Sequence, residues 1–365
     1  MMEAGTMKKG SKVIVGMSGG VDSAVAAYLL KESGHEVIGV TLRTWESGGT
    51  EESRCCEIDD ARRAANAIDI PYHTFNCTAD FEKYVTEPFV CKYIEGVTPN
   101  PCVVCNRYVK WDGMMSRLPV FDADKIATGH YANIVRLDNG RYSVKRSAAQ
   151  AKDQTYMLYM LTQEQLAHTI LPLGGLTKDE VRSIAVRAGI PVAHKKDSQE
   201  ICFIPDDDHA GFIIRNAHSD VPGEGDFVDE SGKVLGRHKG IINYTVGQRK
   251  GLNLALGYPA YVKNINVKNN EVVIAKEEAL YSSCIYCRDI NYMSIPEPPQ
   301  GGSFRARVKI RYHHNGETAT LTKTGRDEVM IEFDKPVRAA APGQSAVFYD
   351  EDDCVAGGGI IVNIP

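Results

Sequence analysis

The feature that most constrains this chain is a short apolar run, followed by a glycine-containing loop and then by strong helix formers. Residues 13–17 have the uninterrupted apolar character of a strand buried on both faces, and residues 24–31 favour helix. In the loop between them, residues 18–23, Gly19 and Gly20 allow a tight turn and the close approach of a ligand. Because the first N–H groups of a helix lack partners within it, the arrangement predicts a phosphate-binding loop.

The loop reads Ser-Gly-Gly-Val-Asp-Ser, which matches neither the G-x-x-x-x-G-K-[ST] pattern nor the dinucleotide G-x-G-x-x-G pattern. It resembles the loop of pyrophosphatase-type ATP enzymes, which cleave ATP between its α and β phosphates and adenylate a substrate. The other interpretation is a simple glycine turn between strand and helix. The resemblance implies ATP and Mg²⁺ as cofactors, and the predicted ATP-binding residues are Gly16, Met17, Ser18, Gly19, Gly20, Val21, Asp22, Ser23, Leu42 and Gly129.

Further strands and helices alternate along the first two hundred residues. Strands are predicted at 36–42, 71–75 and 125–130, and helices at 59–68 and 79–94. Such alternation predicts an α/β fold with a doubly wound parallel sheet, whose ligand binds at the carboxyl ends of the strands. The alternation stops near the three aspartates at 206–208. We therefore predict an ATP-binding catalytic domain over 1–208.

Two β-rich units are predicted after that boundary. Residues 258–275 alternate as two short strands within a small β-rich central domain, 209–280, and later strands predict a C-terminal antiparallel β-barrel, 281–365. Residues 233–252 carry five cations and no acidic residue. Strict alternation over 304–312 places Arg305, Arg307, Lys309 and Arg311 on one side of a strand. Both features predict surfaces that bind phosphates.

Composition limits the compartment and the partners. A chain of 365 residues with 43% hydrophobic and 24% charged residues is long enough for two or three ordinary globular domains. No apolar run is long enough for a membrane span or a signal peptide, so we expect a cytoplasmic protein without a membrane partner. The formal net charge of −5 argues against a generally basic nucleic-acid-binding protein and leaves room for local basic surfaces. Ten cysteines in a reducing compartment indicate redox, sulfur or metal chemistry.

Three cysteines stand in rigid contexts. Cys102 and Cys105 form a C-x-x-C pair directly after residues 98–101, whose two prolines hold the chain extended. Cys202 stands alone, just before an apolar stretch that a proline limits. The later C-x-x-C pair at 284–287 has no second pair at zinc-ribbon spacing, so we do not predict a metal site there.

Taken together, these segments resemble the tRNA-specific 2-thiouridylase family, which replaces oxygen by sulfur on the wobble uridine of certain tRNAs. The resemblance implies that Cys202 carries a persulfide sulfur and that Cys105 is the partner thiol. It covers nearly the whole chain, through the motifs at 16–23, 98–101, 127–131, 152–154, 197–203, 244–252 and 342–344.

The same resemblance implies which residues contact the nucleic acid. Its partners are tRNA and a sulfur-donor protein, and we expect the free protein to be a monomer. The implied target-base contacts are Asn100, Pro101 and Cys102, and the other implied tRNA contacts are His130, Lys152, Asp153, Gln154, Arg311, Tyr312 and Gln344.

Position 102 departs from the family pattern, which has an aspartate, a proposed proton acceptor, three residues before the cysteine. Two mechanisms therefore stay open. The persulfide route needs only Cys105 and Cys202, whereas Cys102, Cys105 and Cys202 could instead hold three irons of a [4Fe-4S] cluster whose fourth iron binds sulfide. Two other functions also stay open: an amidotransferase or ligase that uses the same ATP loop, and a tRNA-binding protein with a regulatory nucleotide site.

Overall fold

The first part of the chain forms an open parallel sheet around one central strand. The computed structural model describes residues 10–45, 52–195, 201–204 and 206–362, with the side chains of 52–56 excepted. The strand order is β3-β2-β1-β4-β7, while β5 and β6 form a separate hairpin. The strands are β1 Lys12–Gly16, β2 Glu36–Arg43, β3 Tyr72–Asn76, β4 Lys125–Thr128, β5 Asn133–Arg136, β6 Tyr142–Lys145 and β7 Thr169–Ile170.

The direction of winding reverses beside β1. Gly16, the last residue of β1, lies opposite Val40 on β2 and Thr128 on β4, and both pairings are parallel. The chain runs outward through β2 to β3 and then returns to β4 on the other side of β1. The crevice at such a reversal is where sheets of this type bind ligands. The predicted doubly wound parallel fold is confirmed.

Helices pack on both faces of this sheet. Val13 and Val15 of β1 belong to one hydrophobic cluster, whereas Ile14 belongs to another that contains Trp111. Helical segments Glu82–Thr86 and Cys105–Trp111 have π-helical geometry. The α-helices are α1 Val21–Glu32, α2 Glu52–Ala67, α3 Thr78–Phe81, α4 Glu87–Ile94, α5 Pro101–Val104, α6 Asp112–Met115, α7 Leu118–Phe121, α8 Gln163–Ala167, α9 Lys178–Arg187 and α10 His209–Asn216.

The central part of the chain is a small mixed sheet in the order β10-β11-β8-β9. The predicted pair of strands around Asn269 and Asn270 is present, with Asn270 in the left-handed conformation that such a tight turn requires. Its strands are β8 Gly225–Val228, β9 Val234–His238, β10 Tyr261–Asn266 and β11 Glu271–Ala275.

The last part of the chain is the predicted antiparallel barrel. It closes in the order β12-β15-β14-β13-β16-β17. Closure pairs β12 with both β15 and β17, which removes exposed strand edges. The strands are β12 Tyr281–Tyr292, β13 Ser303–Lys309, β14 Glu317–Gly325, β15 Glu328–Arg338, β16 Ser345–Tyr349 and β17 Val355–Val362.

The three parts share hydrophobic cores. One cluster joins Phe89 and Val109 of the first part to Phe227 and Val262 of the central sheet. The cluster around Trp111 includes barrel residues of β16 and β17. Among the described residues, no helix combines the length and the apolar character that crossing a membrane requires. The domain boundaries at 208 and 280 stay predictions.

Candidate active site

The glycine loop lies at the reversal of the sheet, between the ends of β1 and β4. Gly129, just after β4, packs against the start of α1, where a Cβ added to it would lie 2.6 Å from the Ser23 amide nitrogen. Only a residue without a side chain allows this approach. Gly19 has a φ of +74°, which also favours glycine. The predicted residues of the loop and Gly129 therefore come together at one rim.

Hydrogen bonds inside the loop fix its shape. The Ser18 amide donates to Ser23 Oγ at 3.2 Å, and Ser23 Oγ donates to the Gly20 carbonyl at 3.1 Å. Ser23 is buried, while Ser18 is exposed. The two serines therefore differ in role: Ser23 holds the turn, and Ser18 stays available to a ligand.

Asp22 is held by two residues that come from distant parts of the chain. Lys178 Nζ lies 2.8 and 2.9 Å from the two carboxylate oxygens of Asp22, and the Tyr131 hydroxyl donates to Oδ1 at 2.8 Å. Lys178 is the first residue of α9, whose capping box Thr177–Glu180 fixes the start of the helix. Neither Lys178 nor Tyr131 was predicted as a site residue: Lys178 lies outside every motif, and Tyr131 lies in the motif 127–131 but was given no role.

A second lysine braces the loop from the other side. Lys195 Nζ lies 2.8 Å from Asp60 Oδ2 and 3.3 Å from the Gly19 carbonyl oxygen. Burial raises the pKa of the Asp60 carboxyl, but Lys195 and Arg63 outweigh burial and hold that pKa below its ordinary value. Asp60 therefore stays ionised and keeps Lys195 against the loop.

The C-x-x-C thiols lie on a helical run that packs against the end of β1, just before the glycine loop. Cys102 is in α5, and Cys105 opens the π-helical segment Cys105–Trp111. Further along the same helical run, Met114 Sδ lies 3.0 Å from where a Cβ on Gly16 would be. The thiols and the proposed phosphate site are thus joined by one rigid element.

The two thiols differ in exposure. Cys102 is exposed and Cys105 is buried. Burial raises the pKa of Cys105 to about 12, while Lys110 acts in the opposite direction. Burial of the sulfur also raises the pKa of the Cys102 thiol, and Lys110 again opposes this. Lys110 is therefore the cation that favours ionisation of both thiols, and it was not predicted as a site residue.

Cys202 reaches the same region from a separate stretch of chain. Its neighbour Phe203 packs edge-on against Phe81 and Phe89, with ring centroids 5.5 and 5.2 Å away. Both Cys202 and Cys102 are near enough to Cys105 that their negative charges would raise its pKa further. Cys105 therefore lies within electrostatic range of both other predicted cysteines. Residues 197–200 of the same motif lie outside the described residues.

The three thiols do not form a ready metal site. Within the described residues, no group of three histidine, cysteine, aspartate or glutamate side chains is placed to hold a metal ion. The second C-x-x-C pair also lacks this geometry, because Cys287 is inside the barrel core while Cys284 is partly exposed on the same strand. The donor arrangement thus does not fit a cluster held by Cys102, Cys105 and Cys202.

The predicted base and tRNA contacts near the thiols occupy different environments. Asn100 stands at the N-cap position of α5 but its side chain makes no capping hydrogen bond there, and Pro101 is buried. His130 Nδ1 lies 2.8 Å from Thr128 Oγ1, and burial lowers its pKa to about 3, so its ring is neutral. Leu42 packs against Gly113 of the thiol-bearing helix, as a Cβ on that glycine would lie 3.0 Å from Leu42 Cδ1.

The segment 152–154 is mostly turned inward. Asp153 is buried, where it accepts hydrogen bonds from the Ser147 amide at 3.1 Å and from Thr155 Oγ1 at 2.6 Å. Gln154 Oε1 accepts from the Tyr131 amide at 2.9 Å. These partners give Asp153 and Gln154 supporting roles in the structure, and Lys152 lies beside them in a 3₁₀ turn.

The predicted basic stripe on β13 is partly neutralised. Arg305 donates to both carboxylate oxygens of Asp334, and Arg307 pairs with Asp353. Lys309 instead lies between the rings of Tyr156 and Tyr312, 6.0 and 5.8 Å from their centres. The alternation of side chains is as predicted over 304–309, but β13 ends at Lys309, so Arg311 lies beyond the strand. Sequence reasoning also missed the acidic partners, which come from elsewhere in the barrel.

Arg311 and Gln344 both use their side chains to bond backbone carbonyls. An Arg311 guanidinium N–H donates to the Arg338 carbonyl at 3.0 Å. Gln344 Nε2 donates to the Thr98 carbonyl at 3.0 Å, directly before the thiol-bearing helix. The barrel therefore touches the segment that carries Cys102 and Cys105.

Comparison with known domain families matches most of the chain. The family described as tRNA methyl transferase HUP domain matches residues 11–206. The family described as tRNA methyl transferase PRC-barrel domain matches residues 212–276, and that described as aminomethyltransferase beta-barrel domain matches residues 282–361.

Two similar curated proteins are both called tRNA-specific 2-thiouridylase MnmA. The protein from Lachnoclostridium phytofermentans is 51% identical over 96% of this chain and 99% of its own length. The protein from Clostridium perfringens is 48% identical over 97% of this chain and 99% of its own length. Among solved structures, U34-tRNA thiolase NcsA from Methanococcus maripaludis with its [4Fe-4S] cluster is 20% identical, covers 59% of this chain and 67% of its own, and has a TM-score of 0.35.

Proposed function

This chain belongs to the tRNA-specific 2-thiouridylase family, and from that membership we propose that it is an ATP-dependent sulfurtransferase that makes 2-thiouridine at the wobble position of tRNA. One observation carries the proposal. A single helical run carries Cys102 and Cys105 and packs through Met114 against Gly16, just before the ATP-type loop, and Cys202 lies within electrostatic range of Cys105. A simple glycine turn would not require this arrangement of thiols.

The first half-reaction activates the uridine. The unpaired amides at the start of α1 suit the phosphates of ATP, and the Asp22 carboxylate suits Mg²⁺. The uridine O2 attacks the α phosphate, pyrophosphate leaves, and the adenylated C2 becomes open to attack. Lys178 and Tyr131 orient Asp22 for this step.

The second half-reaction delivers sulfur from a Cys202 persulfide, loaded by a sulfur-donor protein. The Cys105 thiolate attacks the inner sulfur of Cys202, which forms a Cys105–Cys202 disulfide and releases the terminal sulfur as HS⁻. This HS⁻ attacks the adenylated C2, the C2–O bond breaks, and AMP leaves. A thiol reductant then restores both cysteines. The closeness of Cys202 to Cys105 supports this route.

The persulfide route needs no chemistry from Cys102. Because no three-ligand metal arrangement is present within the described residues, we assign Cys102 the part of a bystander or spare resolving thiol. We further propose that the protein acts in the cytoplasm, where it meets tRNA and the sulfur donor, and that it is a monomer when free.

The test is product analysis with purified full-length protein. We expect pyrophosphate to form only when tRNA and ATP are present, and AMP and 2-thiouridine only when a persulfide donor is present as well. We expect Cys102→Ala to keep full activity. AMP formation with ammonia and no sulfur donor would instead show a ligase. Anaerobic reconstitution that yields four irons per chain, with an inactive Cys102→Ala variant, would overturn the persulfide route.

A further inference from the structure

The short segment 96–99 leads from α4 into the thiol-bearing helix, and the rest of the fold encloses it. Barrel residues contact it on one side and central-sheet residues on the other. Its position sets where α5 begins, and therefore where Cys102 and Cys105 lie.

The barrel supplies the turn Pro342–Gln344, which bonds both backbone groups of Thr98. The Thr98 amide donates to the Pro342 carbonyl at 3.0 Å, and Gln344 Nε2 donates to the Thr98 carbonyl at 3.0 Å and to the Pro99 carbonyl at 3.4 Å. The turn is itself fixed to β17, because Gly343 and Gln344 exchange backbone hydrogen bonds with Ile361, both at 2.8 Å.

Gly343 makes this contact possible. Its φ is +87°, and a Cβ there would lie 2.8 Å from the Thr98 carbonyl oxygen and would overlap a methyl group of Val97. This distance is too short for a non-bonded carbon and oxygen, so the backbone would have to move to accommodate a Cβ at position 343. Any side chain at 343 would therefore push the turn away from residues 97–98.

The central sheet closes the opposite side. A Cβ on Gly96, where φ is +70°, would lie 2.8 Å from Val267 Cγ2 and 2.9 Å from Ile265 Cγ2. Thr98 Oγ1 also donates to Thr245 Oγ1 at 3.3 Å. Residues 96–99 are thus held between two parts of the chain that carry none of the three predicted cysteines.

We propose that Gly343 and Gln344 are positioning residues for sulfur transfer: the barrel turn holds residues 98–99, and with them the start of the thiol-bearing helix, so that Cys105 is kept buried. This inference rests on the proposed function. It assigns Gln344 a role inside the enzyme that is separate from the tRNA contact the family resemblance implies.

The carbonyls of Thr98 and Pro99 both accept a hydrogen bond from the Gln344 side chain. Removing the Gln344 amide leaves the Thr98 and Pro99 carbonyls without that donor in a partly buried place, and unpaired buried acceptors favour opening. Opening of the segment exposes Cys105. The rate at which Cys105 reacts in the absence of any substrate therefore measures how readily residues 96–99 open.

The experiment measures iodoacetamide labelling of Cys105 in reduced full-length protein without tRNA or ATP, with exposed Cys91 as the internal reference. We expect Gly343→Ala and Gln344→Met to label Cys105 about five- to thirtyfold faster than wild type, with unchanged Cys91 labelling. Both variants should lose kcat for thiolation by a similar factor, with the KM for tRNA changed less than about twofold.

Gly301→Ala is the matched control. Gly301 is also in the barrel with a positive φ of +77°, but a Cβ there meets nothing within 4 Å. It should label like wild type, which separates the strain of a positive φ from the contact with residues 97–98. If Gly343→Ala does not fold, Gln344→Met decides alone, since it leaves the backbone unchanged.

Unchanged Cys105 labelling in Gln344→Met, with only the KM for tRNA raised, would overturn the inference and leave Gln344 as a tRNA contact. A wild-type protein that makes no 2-thiouridine would overturn the proposed function instead. The labelling result does not depend on that activity, so the two failures are distinguishable.

Discussion

At the scale of single residues, Lys178 carries the most specific consequence for catalysis. Its Nζ lies 2.8 Å from Asp22 Oδ1, beside the phosphate-binding loop. Lys178→Met should reduce ATP-dependent AMP formation by about a hundredfold, because it removes the cation that holds the Asp22 carboxylate in place, and loss of one oriented charged group in such a site costs on that order. The dissociation constant for tRNA should not change. Radiolabelled ATP and filter binding measure the two quantities.

Arg187→Met is the control for Lys178→Met, since Arg187 is exposed at the other end of α9. It should keep wild-type AMP formation. Equal losses in both variants would point to damage to α9 rather than to the loop.

The reactivity of Cys105 should depend strongly on pH. With a pKa of about 12, roughly one Cys105 in ten thousand is ionised at pH 8, and the thiolate is the form that reacts. The labelling rate should rise about tenfold per pH unit between pH 7 and 10, because the raised pKa lies above this window. A plateau below pH 9 would contradict the buried thiol.

Lys110 should shift that pH dependence through its charge. It lowers the pKa of Cys105, so Lys110→Met should raise this pKa and slow labelling by tenfold for each unit of rise, about 1.4 kcal/mol. Lys110→Arg keeps the charge and should restore most of the rate. Failure of arginine to restore it would indicate a packing role.

Residue-level prediction from sequence succeeded where neighbours in the chain are also neighbours in space. The loop 18–23 and the pair Cys102 and Cys105 each fall within one short stretch. Lys178 and Tyr131 were missed because they reach Asp22 from 156 and 109 residues away. Nothing local distinguishes Lys178 from an ordinary helix start, and the motif 127–131 contains Tyr131 without revealing its partner.

At the scale of elements, apolar runs and alternation located β1, β2 and the four barrel strands from β13 to β16, but not β12 or β17. The edge strand β7 was missed, because two residues carry no periodic pattern. The π-helical geometry of Cys105–Trp111 was missed as well, since its residues are compatible with an ordinary helix. Ion pairs of the β13 stripe depend on strand register, which a single strand's sequence does not reveal.

Those ion pairs change what the stripe should contribute to tRNA binding. Arg305 is held by Asp334, whereas Arg311 donates to a neutral carbonyl. Arg311→Met should therefore reduce the slope of log affinity against log salt by about 0.9, and Arg305→Met by less. Titrations at several salt concentrations measure this. Equal slopes in wild type and Arg311→Met would exclude a phosphate contact at Arg311.

At the scale of the whole molecule, two hydrophobic clusters extend across the domain boundaries that the pattern of strands and helices predicts. Phe89 and Phe227 share one cluster, and Trp111 and Val355 share another. Because one core cannot be lost without exposing its neighbour, the full chain should unfold in a single calorimetric transition. A fragment of residues 1–208 should melt at least about 10 °C lower. Separate transitions in the full chain would contradict this coupling.

Through the shared cluster around Trp111, nucleotide binding should affect the stability of the barrel. It contains Ile14 of β1, just before the phosphate loop, and Val347 and Val355 of the barrel. A ligand that binds only the folded state stabilises every segment that opens together with its site. ATP should therefore slow amide hydrogen exchange in β16 and β17, far along the chain from the loop that binds it.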